Sequence, residues 1–101
     1  PMDPILQSLD LDAPPPGLTR PLQALWWLRK GDLVPEEEWE HAHEICQSAE
    51  GTRVYDLIHA LAHWIEGDHA NSDYWYRRAG ARPAGADIAA EWEHQARQAI
   101  R

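Results

Sequence analysis

Apolar residues recur at three- and four-residue steps along most of the chain, and helix start and stop signals fall between the runs. Leu22, Leu25, Trp26 and Arg29 form the first such stripe. Thr19 stands where an N-cap belongs, and Pro21 lies in the first turn, where a missing N–H does no harm. This predicts a helix over 20–30, stopped at Gly31-Asp32. Pro35 then opens a second helix, 35–49. Glu36, Glu37 and Glu38 sit in its first turn, where the helix dipole favours negative charge, and Trp39, Ala42, Cys46 and Ala49 share one face. Thr52 begins a third, 53–66, with Val54, Leu57, Ile58, Leu61 and Ile65 on one stripe. Gly67-Asp68 ends it, and a fourth follows over 69–79. After a loop from Gly80 to Gly85, a fifth runs over 86–100, with Ile88, Trp92, Ala96 and Ala99 aligned and Glu93–Arg97 spaced as an i,i+4 pair. No segment alternates apolar and polar positions for long enough to make a strand. The expected fold is all-α: two antiparallel helical hairpins, 20–49 and 53–79, plus a C-terminal helix, 86–100.

Residues 1–17 break the pattern. Pro1, Pro4, Pro14, Pro15 and Pro16 bracket one short apolar stretch, Ile5–Leu11, and the run Pro14–Gly17 favours extended polyproline backbone. The segment reads as a proline-rich arm that either docks one helical turn on the body or is disordered. The single helical domain then covers 18–101. A chain of 101 residues supports one modest core without staples, and the lone Cys46 excludes an internal disulfide. No apolar run approaches a membrane span and no signal peptide is visible, so a cytoplasmic protein without a membrane partner is expected. Nine Lys+Arg against 17 Asp+Glu give a formal charge of −8, which argues against nucleic acid and anionic membranes as partners.

Two segments match without gaps. Ala24 to Asp32 lies over Ala60 to Asp68, with identities at Ala24/Ala60, Leu25/Leu61, Gly31/Gly67 and Asp32/Asp68, and Trp39 then falls on Trp75. The physical content is a helix, a glycine turn, and a second helix returning a tryptophan to the first. The pattern resembles tetratricopeptide and Sel1-like repeats, best over Ile58–Ala79 through Leu61, Gly67, Trp75 and Ala79. A closer resemblance is carried by Trp39-Glu40-His41-Ala42-His43-Glu44-Ile45-Cys46-Gln47 and by His59 to Asp68, running through Asn71 to Tyr74-Trp75-Tyr76-Arg77-Arg78-Ala79-Gly80. These stretches look like a group of small, uncharacterised helical proteins with the pattern W-x-x-A-H-x-I-x-Q followed by H-A-x-x-H-x-x-E-G-D-x-x-N-x-x-Y-W-Y-R-R-A-G. That resemblance implies a fold class and a shared surface, not an activity.

Six histidines are present, and four residues, three of them histidines, form one constellation. His59, His63 and Glu66 lie within about 60° of one another on a helix, opposite the apolar stripe. His43, at the edge of the preceding helix's apolar face, approaches them if the two helices pack side by side. Such a set can chelate one divalent metal ion, and an open coordination position would allow hydrolysis by metal-bound water. The other reading is that His59, His63 and Glu66 form a solvated polar face, or that a buried histidine bonds a carbonyl or carboxylate. A second candidate is an interaction surface of Tyr74, Tyr76, Arg77, Arg78 and Trp27, since aromatics and arginine anchor interfaces. Alternatively, Trp75 and Tyr74 pack inward and Arg78 pairs with Glu66 or Asp68. Phosphate-loop, dinucleotide and nucleophile-elbow motifs are absent, and Cys46 on an apolar face reads as packing. The leading expectation is a non-catalytic protein–protein interaction module, engaging a protein partner or itself. The alternative is a metal-binding protein or metal-dependent hydrolase using His59, His63, Glu66 and His43.

Overall fold

The computed structural model describes residues 2–100. Pro1 and Arg101, the outer ends of the expected arm and helical domain, lie outside the described residues. The fold is all-α. Among the described residues six helices follow one another: α1 (Asp3–Gln7), α2 (Arg20–Lys30), α3 (Glu37–Gln47), α4 (Arg53–Ile65), α5 (His69–Arg78) and α6 (Ile88–Ile100). Among the described residues no strand is present.

The helix ends follow local chemistry. α2 carries Pro21 in its first turn and Arg29 and Lys30 in its last, where cations complement the carbonyl end of the dipole. α3 has Glu37, Glu38 and Glu40 in its first turn. It starts later than the proline suggests, because Asp32 and Leu33 take left-handed backbone angles, φ 60° and 57°, and the chain bends through Pro35 before the helix opens. α5 is capped by Asp68, whose carboxylate accepts the Asn71 backbone N–H at 3.2 Å and its side-chain amide at 2.7 Å. Asp87 serves α6 in the same way, accepting from Ala90 N–H at 2.8 Å.

α2 pairs with α3 and α4 with α5, and α6 lies across α2 and α4. α4 sits in the middle and meets all four of the other long helices. It is consequently buried nearly all round: Ile58, Ala60, Leu61, Ala62 and Ile65 are enclosed, and so are Asp56, His59 and His63. Two side-chain bonds fasten α6 to α2 and α4. Trp92 Nε1–H donates to the Leu25 carbonyl at 2.8 Å, and Gln95 Nε2–H to the Leu57 carbonyl at 2.9 Å. The arm docks. Ile5 is enclosed in the main core, Trp26 Nε1–H donates to Ser8 Oγ at 2.9 Å, and Lys30 Nζ donates to the Leu9 carbonyl at 2.9 Å. Of the two states expected for the arm, the structure has the ordered one.

Trp39 and Trp75, paired by the sequence match, occupy different places. Trp39 reaches out of its own hairpin and donates from Nε1 to the Ala62 carbonyl on α4 at 2.7 Å. Trp75 stays within its hairpin and stacks on His59, also on α4. The first turn is longer by Leu33-Val34-Pro35, so α3 enters in a different register from α5. Both indoles therefore close on α4, Trp75 pinning its own hairpin and Trp39 reaching across to the other.

Candidate metal centre

Helical spacing puts His59 and His63 one turn apart on α4, with ring centroids 4.9 Å apart. α3 packs beside α4 and delivers His43, whose ring lies 4.8 Å from that of His59 and 5.1 Å from that of His63. One ring nitrogen from each of the three lies within 4.8 Å of the others. Ligands of a tetrahedral zinc ion stand about 3.3 Å apart, given a Zn–N distance of about 2.0 Å, so the three rings must draw closer to hold one. Two indoles wall the cluster. Trp39, one turn before His43 on α3, stacks on it at 4.8 Å and 19°. Trp75 of α5 stacks on His59 at 4.0 Å and 18°.

The expectation of a solvated histidine face on this helix is corrected by that packing. His59 is 2% exposed and His63 7%. α4 is the central helix, so the side opposite its apolar stripe is covered too, by aromatic rings of α3 and α5. His59 Nδ1 is buried and has no hydrogen-bond partner. Leaving such an atom unsatisfied costs about 1–3 kcal/mol. Burial, with the neighbouring imidazoles, pulls the His59 pKa down to about 3. Burial first and His63 second also lower that of His43. Both rings are thus held neutral, the state in which imidazole binds metal.

Glu66 belongs to the site in another capacity than the sequence suggested. It caps the C-terminal end of α4, and its Oε1 accepts from His63 Nδ1 at 2.5 Å. It is not among the three groups that converge. A carboxylate on Nδ1 fixes the tautomer and leaves the unprotonated Nε2 with a free lone pair, the usual arrangement behind a metal-bound histidine. His63, Glu66 and Asp68 form a second, more exposed set, but both Asp68 oxygens are already engaged by Asn71. The remaining histidines are apart. His41 stacks on Trp27 at the surface, 4.2 Å between centroids, and His69 and His94 are exposed.

The arginine–aromatic run divides between outside and inside. Tyr74 is 43% exposed, and Arg77 and Arg78 are exposed. Arg78 lies over the Trp75 ring at 5.1 Å and donates to the Tyr74 hydroxyl at 3.3 Å. Its partner is thus an adjacent ring, and neither Glu66 nor Asp68. Trp27 is half-buried. Tyr76 is not on the surface: it is 3% exposed, and its hydroxyl donates to Glu91 Oε2 at 2.9 Å. The buried face of α5 runs Ser72, Trp75, Tyr76. Cys46 is buried, and burial, with the Asp56 charge beside it, raises its thiol pKa well above the ordinary range, which leaves no nucleophile there.

Two groups were missed in the sequence, Glu91 and Gln95. Both are buried on α6 beside Trp92. Their spacing from Ile88, Trp92 and Ala99 marks the same face, and only their polarity hid them. No protein-family model matches this chain, and none of the curated proteins or solved structures compared with it matches either.

Proposed function

We propose that this protein binds a first-row divalent metal ion such as Zn²⁺ through His43, His59 and His63, with Glu66 orienting His63. One observation carries the reading: three imidazoles from two helices converge in the interior, and a buried ring nitrogen of His59 has no partner. A stacked histidine cluster kept only for packing gains nothing from an orphaned nitrogen, whereas a metal ligand set uses it. An all-nitrogen donor set suits zinc, copper or nickel and disfavours magnesium or calcium. A fourth position left to water would give a hydrolytic centre, and one closed by a protein group a structural one.

The test is metal content and stability on the whole chain. Protein dialysed against Zn²⁺ and then freed of excess should retain about one equivalent. Its melting temperature should rise with free Zn²⁺, by an amount corresponding to about 2.7 kcal/mol when the ion is at a hundred times its dissociation constant. His43→Ala, at the half-buried ligand, should keep the fold and lose the retained ion. No retained ion and no shift in melting temperature with Zn²⁺, Cu²⁺ or Ni²⁺ would remove the reading.

The interaction module is the second reading, favoured by the outer face of α5, where Tyr74 stands exposed beside Arg77 and Arg78. A mass that grows with concentration in light scattering, and that Tyr74→Ser with Arg77→Ser abolishes, supports self-association through it. A constant monomer mass removes self-association.

A further inference from the structure

A groove of about 380 Å³ runs between α4 and α6 under the loop that joins α5 to α6. It lies away from the histidine cluster, and nothing in the reading of that cluster uses it. Its volume is in the range of small-molecule sites and holds about a dozen water-sized groups. Val54, Leu57, Ile58 and Ala99 give it an apolar wall. Two guanidinium groups line it, Arg53 from the start of α4 and Arg82 from the loop. Arg53 is held by its Nε–H, which donates to the Ala79 carbonyl at 3.1 Å and leaves the two terminal nitrogens free to turn outward. Among the described residues neither arginine pairs with a carboxylate. In a chain of formal charge −8, two unpaired arginines in one groove are a local reversal of charge.

Glu91 lines the same groove without cancelling them. Its Oε1 accepts from Ala84 N–H and Gly85 N–H, both at 2.8 Å, and its Oε2 from the Tyr76 hydroxyl at 2.9 Å and Gln95 Nε2 at 3.1 Å. Four donors saturate it. A second anion is unwelcome beside that buried carboxylate, so an anionic head is directed to the exposed arginines and an apolar tail to the wall.

We propose that the groove between α4 and α6 binds a small amphiphilic carboxylate, its head paired with Arg53 and Arg82 and its aliphatic chain lying on Val54, Leu57, Ile58 and Ala99. The guanidinium fork matches a carboxylate bidentately, and the apolar wall supplies the burial that a bare anion lacks.

The test is titration of the ¹⁵N-labelled full chain with hexanoate, hexan-1-ol, hexylammonium and acetate, followed by amide shifts. Hexanoate should shift amides of residues 53–58, 81–82 and 94–99 and saturate. Hexan-1-ol should bind about fivefold more weakly, as expected for two partly solvated ion pairs, and hexylammonium and acetate more weakly still. Arg82→Gln, an exposed loop substitution, should weaken hexanoate about threefold and leave hexan-1-ol unchanged. Equal binding of acid, alcohol and ammonium would mean an unselective greasy groove and overturn the proposal. So would acetate binding as well as hexanoate, shifts that map elsewhere, or an Arg82→Gln protein with unaltered hexanoate affinity.

Discussion

Glu91 shows how one side chain holds distant parts of this chain together. Its carboxylate gathers the α5 tyrosine, a neighbouring glutamine and two loop amides, and no cation takes part. Tyr76→Phe removes one donor to a charged acceptor and should cost about 2 kcal/mol in urea unfolding. Burial first, then the bond to Glu91 and its charge, raise the Tyr76 pKa above its ordinary value of 10.0. The unfolded chain therefore releases this proton at lower pH than the folded one. The stability it contributes is complete below pH 10 and is lost as pH climbs above it. Urea midpoints followed upward from pH 8 should fall at the alkaline end, and Tyr76→Phe should flatten that fall. In the sequence Tyr76 looked like part of a surface run, because its destination is set by α6, fifteen residues further on. The orphaned nitrogen of His59 was equally illegible: spacing gives the ring its helix face, but only packing removes its partners.

The helices themselves were legible, and their ends less so. The stripe Leu22–Leu25–Trp26 and its neighbours fix α2 from pattern alone, with its observed range Arg20–Lys30. α3 is shorter at both ends than its proline and alanines suggested, and at its start left-handed Asp32 and Leu33 are a turn geometry that no apolar spacing encodes. The pairing of α3 with α4 that gathers the three histidines was only conditional in the sequence, and the walls of Trp39 and Trp75 followed from it. Glycines at two connections separate backbone geometry from crowding. Gly67 has φ 79° and open space where a Cβ would point, so Gly67→Ala should cost about 1 kcal/mol for the left-handed backbone. Gly85 has no such φ, but its Cβ would stand 2.2 Å from the Glu91 backbone nitrogen. Gly85→Ala must move the start of α6 and should cost clearly more, measured as loss of melting temperature side by side.

At the scale of the molecule, the proline-rich segment is part of the body. Ile5 is buried in the main core cluster, and Ser8 satisfies the Trp26 indole. Ile5→Ala should therefore cost about 3 kcal/mol, as in any well-packed interior, and a docked but dispensable tail would show almost none. The sequence left both docking and disorder open here, because prolines fix local backbone and say nothing of what the isoleucine meets. The central position of α4 has a last consequence, in hydrogen exchange. Amides that are wrapped on every side by other helices have no local opening through which to reach solvent, so they trade deuterium only when the entire molecule comes apart. Peptide N–H groups from Ile58 to Ala62 should be the slowest in the chain, and their rates, converted to free energy, should equal the global unfolding value, while those at the outer edge of α5 exchange by fraying.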